Sequence, residues 1–84
     1  MKREQFLITS TVGHHVIKNA WNSSIREIEK LVRELARQVG AHFVLCAKES
    51  TKHEDGFSFV SGSHTWQNQR NGAQVVFSIK RIEN

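Results

Sequence analysis

The apolar residues of this chain follow a helical period between residues 23 and 39. They recur there every three or four positions, at Ile28, Leu31, Val32, Leu35 and Val39. Such spacing predicts an amphipathic α-helix with one apolar side. Ser24 with Glu27 three residues later is the pattern of a capping box, and Gly40 is expected to end the helix in a left-handed conformation. The segment therefore predicts a helix with defined ends.

Before the helix, the period changes to two, which is typical of strands. Residues 5 to 11 alternate in this way, and Gly13 is a turn candidate. Residues 15 to 21 are compatible with a returning strand, although the sequence does not decide it. After the helix, residues 42 to 47 form a short apolar run of the kind found in buried strands. Residues 48 to 56 are polar and charged, and they predict a loop.

The last third of the chain predicts a hairpin. A strand region around Phe57, Phe59 and Trp66 is interrupted near Gly62. Asn71-Gly72 is a strong hairpin signal, and residues 74 to 82 alternate again as a strand. The whole chain, residues 1 to 84, thus predicts a single two-layer α+β domain in the order β(β)αβββ. One helix would pack on a mainly antiparallel sheet of four or five strands.

One helix covers only one face of such a sheet, so the second face must be solvated, bind a partner or form a homodimer. Composition narrows the class of protein. The chain has 84 residues, a net charge of +4, one Cys and no Pro. A single Cys excludes an internal disulfide framework, and no apolar run is long enough to span a bilayer. These counts favour a small cytoplasmic protein without membrane association. Cys46, in an apolar run, is expected to be an inert buried thiol.

The cationic side of the predicted helix is the first candidate binding feature. At 100° per residue, four cations fall within one arc opposite the apolar stripe, and we call them the helix ridge: Arg26, Lys30, Arg33 and Arg37. The ridge is roughly 16 Å long and could follow a phosphate backbone. An ordinary solvated face is the alternative, because Glu29 with Arg33 and Lys30 with Glu34 have the spacing of favourable ion pairs.

A second group of candidate binding residues lies near the end of the chain. Arg70, Lys80 and Arg81 would add phosphate contacts to those of the helix ridge. Phe57, Phe59 and Phe77 are more simply explained as core residues. Trp66 has polar neighbours and is therefore expected to be an exposed ring. With His64 and Trp21, it forms the candidate site for a protein partner.

Catalytic and metal-binding patterns are weak. The chain has five His residues, but the spacing of His42 and Cys46 puts their side chains about 13 Å apart on a strand. We therefore predict no metal site and no cofactor. No Ser/His/Asp arrangement or paired-carboxylate motif can be recognised, and no catalytic residue is assigned.

The segment Gly62-Ser63-His64, between an aromatic strand and the Asn71-Gly72 hairpin, carries a family resemblance. It resembles the strand–Gly-Ser-His–strand core of HicA-type toxins, small basic mRNA interferases with a fold like that of double-stranded-RNA-binding domains. The similarity covers residues 56 to 80. In that family the motif's His is catalytic, which would correspond to His64 acting on a ribose 2′-hydroxyl. The family has a helix after its last strand, whereas this sequence ends in a strand pattern, so the activity is not transferred.

Three functional hypotheses remain. The first is a non-enzymatic accessory protein, of the kind encoded by phages or mobile elements, that binds DNA or RNA through the helix ridge. The second is a protein-binding inhibitor or adaptor that uses the uncovered face of the sheet. The third is a HicA-like mRNA interferase acting through His64.

Overall fold

The structure, a computed structural model, describes residues 3–13, 15–21, 24–56 and 58–82. In chain order, these residues form strands β1 (Arg3–Ser10) and β2 (His15–Trp21), helix α1 (Ile25–Val39), and strands β3 (Phe43–Lys52), β4 (Phe59–Asn68) and β5 (Gln74–Arg81). The predicted α+β class and element order are confirmed. Residues 15 to 21, which the sequence left undecided, form a strand.

The five strands make one antiparallel sheet in the order β2-β1-β5-β4-β3. Helix α1 connects β2 to β3, the two edge strands, so it crosses from one edge of the sheet to the other. Ser24 caps its first turn, because the Ser24 hydroxyl accepts a hydrogen bond of 3.2 Å from the backbone N–H of Glu27. Within the described residues, no helix is long and apolar enough to cross a membrane.

The core lies between α1 and the sheet face that it covers, which we call the covered face. Helix α1 buries Ile28, Val32, Leu35 and Ala36 as the apolar period predicts. The sheet contributes large side chains, including Phe6, Ile8, Phe59, Val75, Phe77 and Ile79. The Phe6 and Phe59 rings meet edge to face with their centroids 5.7 Å apart. The prediction of Phe59 and Phe77 as core residues is confirmed, whereas Phe57 lies outside the described residues.

Strand β3 differs from its prediction in length and in burial. It extends to Lys52, ten residues in all, and takes up part of the predicted loop at residues 48 to 56. Apart from half-buried Phe43, its residues are exposed, including the Cys46 thiol that was expected to be buried. Five strands about 4.8 Å apart make a sheet about 19 Å wide. A single helix about 10 Å in diameter therefore leaves an edge strand uncovered.

Two glycine predictions are wrong, and at both positions another part of the chain approaches the glycine closely. Strand β4 continues through Gly62, where a Cβ would lie 2.2 Å from the carbonyl oxygen of Glu49 and 3.0 Å from the Phe59 ring. Gly40 has φ −178°, an extended rather than a left-handed conformation. A Cβ at Gly40 would lie 3.0 Å from the ring of Phe43. Gly62 therefore makes room mainly for the backbone of β3, and Gly40 for the ring of Phe43.

The turn predictions are largely confirmed. Gly13 and Gly72 adopt positive φ of 91° and 73°, which glycine tolerates best. The turn around Asn71 and Gly72 joins β4 to β5, but it spans residues 69 to 73 rather than two residues. Inside this turn, Asn68 Oδ1 accepts a hydrogen bond of 2.8 Å from the backbone N–H of Arg70.

The face of the sheet away from α1, which we call the open face, carries the alternate residues of each strand. Ser63 and Thr65 of β4 lie there, because successive residues of a strand point to opposite faces and His64 and Trp66 are buried on the covered face. The aliphatic side chains on this face are partly exposed, and Ile17 reaches 59% exposure. No element of the described chain covers this face. As the sequence predicts, it is available to solvent or to a partner.

Candidate functional site

The outer side of α1 presents the four cations of the helix ridge to solvent. All four are exposed, and the buried residues of the helix lie on the opposite side: Arg26, Lys30, Arg33 and Arg37 outside, Ile28, Val32, Leu35 and Ala36 inside. This arrangement follows from the helical period, because a stripe that faces the core leaves the opposite arc in water. The predicted placement of the ridge on the exposed side is confirmed.

The charges of the ridge are less neutralised than the sequence suggests. The spacing of Glu29 and Arg33 predicts an ion pair, but Glu29 Oε1 instead accepts a hydrogen bond of 2.6 Å from Lys48 Nζ on β3. Lys30 and Glu34, both within the described residues, do not form their predicted pair either. Among the described residues, no ridge cation forms an ion pair. The bond to β3 therefore withdraws a carboxylate from the ridge.

The C-terminal end of α1 lies beside the turn between β4 and β5. The backbone N–H of Gln69 donates a hydrogen bond of 3.0 Å to the carbonyl oxygen of His42, which joins this turn to the turn after α1. Arg70, exposed in the turn, therefore lies at the same end of the molecule as Arg37. The structure brings these two predicted binding residues to one end.

A cleft opens at this end between the last two turns of α1 and strand β3. Its volume is about 490 Å³, and its lining includes Arg33, Arg37, Phe43, Leu45 and Trp66. The two arginines come from the helix ridge, while the other three residues supply an apolar surface. Phe43 and Leu45 were not among the predicted site residues, because the apolar run that contains them was expected to be a buried strand. Gly40, three residues before Phe43, is the sequence signal that could have identified this position, because a residue without a Cβ leaves room for the Phe43 ring.

Lys80 and Arg81 are not brought to the helix ridge. Lys80 alternates with buried Ile79 and therefore lies on the open face. The Arg81 guanidinium is partly buried and pairs with Glu4 through Nη2 and Oε2, which are 3.1 Å apart. Its Nη1 also donates to His53 Nε2. Because Glu4 already pairs with it, Arg81 is a weaker candidate for a phosphate contact than the exposed cations of the helix ridge, and its predicted binding role stays a prediction.

The predicted partner-binding residues are mostly internal. Trp66 was expected to be an exposed ring, but only 6% of it is exposed, and His64 is 2% exposed. Both alternate with open-face residues and therefore point toward α1. Trp66 Nε1 and His64 Nδ1 are buried without a hydrogen-bond partner among the described residues. The expectation that Trp66 is an exposed ring is wrong, because strand alternation places it under α1. The predicted role of Trp66 and His64 in binding a partner stays a prediction. Trp21 belongs to β2, and its side chain lies outside what is described.

Burial also sets the protonation of His64. Desolvation lowers the pKa of His64 below its ordinary value of 6.5, and nearby Lys48 lowers it further, whereas Glu29 opposes the shift. The imidazole is therefore neutral at pH 7. A general base must reach the proton that it removes, and His64 is enclosed by the core. The arrangement does not offer this His to a ribose hydroxyl.

Other chemistry is sparse in the described chain. Within residues 3–13, 15–21, 24–56 and 58–82, no three His, Cys, Asp or Glu side chains gather as metal ligands. The exposed Cys46 thiol donates a long hydrogen bond of 3.3 Å to the carbonyl oxygen of Thr65. The features with a distinct chemistry are the helix ridge and the cleft at its C-terminal end. A scan against protein-family models and searches of curated proteins and solved structures found no match to this chain.

Proposed function

We propose that this protein is a non-enzymatic binding module that contacts DNA or RNA through the helix ridge. The observation that carries the proposal is the row of exposed, unpaired cations along one side of α1. A phosphate backbone is a linear polyanion, so a row of cations can neutralise several phosphates at once and release their counterions. Arg33 and Arg37 add the bidentate geometry that suits phosphate oxygens.

The position of the other charges supports this assignment. Glu29 pairs with Lys48 rather than with a ridge cation, and Arg70 lies at the same end of the molecule as Arg37. Lys80 and Arg81, which the sequence also suggested, are left out of the proposed interface. The proposed interface is therefore the helix ridge with Arg70.

The test is a fluorescence anisotropy titration with labelled DNA and RNA, single-stranded and duplex, at about 50 mM and about 200 mM salt. If all four ridge cations contact phosphates, the affinity should fall between these conditions by about 50-fold for a single strand and about 150-fold for a duplex. Binding that does not change with salt, or no binding to any of these nucleic acids, would contradict the proposal.

A matched pair of double variants locates the interface. Arg33→Gln with Arg37→Gln removes two charges from the ridge, and Lys52→Gln with Lys80→Gln removes two exposed charges elsewhere. Both change the net charge from +4 by the same amount. We expect the first pair to lower the affinity at least tenfold and to reduce the slope of log affinity against log salt concentration by nearly two. The second pair should have little effect on either quantity. Equal losses would indicate only a general charge effect.

A protein partner on the open face is the second candidate function. The observation that favours it is the exposed aliphatic surface there, with Ile17 and Leu7 on neighbouring strands. An inhibitor or adaptor, or a second copy of this chain, could cover such a surface. Ile17→Asp should abolish such an interaction, whereas Gln38→Glu, which adds the same charge at an exposed position of α1, should preserve it. Analytical ultracentrifugation distinguishes a homodimer, and unchanged capture of a purified partner by Ile17→Asp would reject this candidate.

A further inference from the structure

The cleft at the C-terminal end of α1 combines two kinds of surface that a simple phosphate site does not need. One wall carries the guanidinium groups of Arg33 and Arg37, and the other is formed by Phe43, Leu45 and Trp66. Phe43 is half-buried and Leu45 is 37% exposed, so part of the apolar wall faces solvent. Among the described lining residues there is no Asp or Glu. The occupant that fits is anionic and also has a flat apolar part.

Size and charge narrow the class of occupant. A volume of about 490 Å³ lies within the range of small-molecule sites and is large enough for a planar ring system. The cleft is continuous with the helix ridge, since Arg33 and Arg37 belong to both. A ligand with repeated negative charges can therefore lie along the ridge and place one apolar group in the cleft. A nucleotide chain has both properties in each of its units.

We infer that the cleft receives one unstacked base of a single-stranded nucleic acid, while Arg33 and Arg37 bind the adjacent phosphates. This inference rests on the proposed function and specifies its substrate. The bases of a duplex are stacked and paired, so their ring faces cannot enter a cleft at the edge of a sheet. In a single strand each base offers a ring face to an aromatic side chain, here that of Phe43, without a requirement for a particular sequence.

The test compares three labelled probes of equal length: an oligothymidylate, an abasic strand with the same phosphates, and a duplex. Stacking on an aromatic ring contributes enough to predict an affinity at least about fivefold higher for the oligothymidylate than for the abasic strand. Phe43→Leu removes the ring on which the base stacks, and Leu45→Ser makes the apolar wall beside it polar; each should reduce this preference to less than about twofold. Ile17→Ser is the matched control, because it makes the same type of change at an exposed position on the opposite edge strand.

The outcomes separate this inference from the proposed function. Equal affinity for the oligothymidylate and the abasic strand, with the salt dependence intact, would overturn the base-binding cleft and leave the ridge proposal standing. Tighter binding of the duplex than of the oligothymidylate would do the same. Absence of binding to all three probes would overturn both. If Leu45→Ser and Ile17→Ser lose the preference for the oligothymidylate equally, the cleft is not the site where the base binds.

An acidic peptide with aromatic residues has a related chemistry, so a glutamate- and phenylalanine-containing peptide is a further probe. The row of cations along α1 favours the longer polyanion, and we expect the oligothymidylate to bind more tightly. Tighter binding of the peptide would overturn the inference and indicate a protein ligand. Circular dichroism of each variant verifies that α1 and the sheet are retained.

Discussion

The two faces of the sheet are built from alternate residues of the same strands, yet they differ in chemistry. Strand β4 shows this most directly. Gly62, His64 and Trp66 point toward α1, whereas Ser63 and Thr65 point to the open face. The covered face holds the close contacts that stabilise the fold, while the open face carries small hydroxyl groups and scattered aliphatic residues. The difference shows that the alternation of residues along one strand is enough to separate a packed face from a face that is open to solvent.

The largest expected effect is a loss of stability caused by a substitution on the covered face. Phe59→Ala removes a fully buried ring that contacts Phe6, and it should lower the free energy of unfolding by about 4 kcal/mol. Ser63→Ala, on the open side of the same strand, should change it by less than about 0.5 kcal/mol. Urea denaturation measures both. If Phe59→Ala does not fold, Phe59→Leu should still cost more than Ser63→Ala; equal values would contradict the comparison.

Backbone packing on the covered face gives the next effect. Gly62→Ala places a Cβ 2.2 Å from a backbone oxygen of the neighbouring strand, so β3 and β4 must separate locally. We expect a loss of about 3 kcal/mol in the free energy of unfolding. Gly40→Ala is the matched control, because its Cβ meets only the ring of Phe43, which can move, and the expected loss is about 1 kcal/mol. A larger loss for Gly40→Ala would contradict this interpretation.

Charge reversal tests the contrast between the helix side and the open face in binding. Arg37→Glu should weaken binding to an oligonucleotide about tenfold at 100 mM salt, since one phosphate contact is lost. Lys80→Glu changes the net charge equally on the open face and should alter the affinity less than twofold. Anisotropy titration gives both constants. A stronger effect of Lys80→Glu would move the interface to the open face.

The smallest expected effect is a dependence of stability on pH. Because burial lowers the pKa of His64, the unfolded chain binds a proton more readily than the folded one. Stability from this group is fully present above pH 6.5 and is lost as the pH falls below it, by at most about 1.4 kcal/mol per pH unit. His64→Phe should flatten this dependence, whereas His15→Phe, at an exposed position, should retain it. Denaturation series at several pH values measure the slopes; parallel slopes for wild type and His64→Phe would exclude His64 as the cause.

Much of the fold was predictable because its signals are local. The period of the apolar residues, the Ser24 cap and the Asn71-Gly72 turn depend on neighbours a few residues apart, and all appear in the structure. The alternation of β5 likewise identified Phe77 as a core residue. These features follow from backbone geometry and side-chain spacing, so one sequence is sufficient to recognise them.

The candidate site was only partly predictable because it depends on contacts between distant segments. The ridge was recognised from the helical period. The ion pair that takes Glu29 away from the ridge, however, joins it to Lys48, which lies 19 positions further along the chain. Trp66 has polar neighbours in sequence and was therefore expected outside, although strand alternation places it under α1. The pairing of Arg81 with Glu4 joins the two ends of the described chain. No local pattern reports such contacts.

The sequence by itself determined the elements, their order and the side of α1 that carries positive charge, because these depend on the periods of the helix and the strand. The tertiary structure decided which strand lies at the edge and which cations remain unpaired. It placed β3, with its apolar residues 43 to 47, at the edge, where one helix cannot cover the strand, and thereby opened the cleft beside Arg33 and Arg37. The physical reason is that the strand order of a sheet is set by long-range pairing, which adjacent residues do not encode.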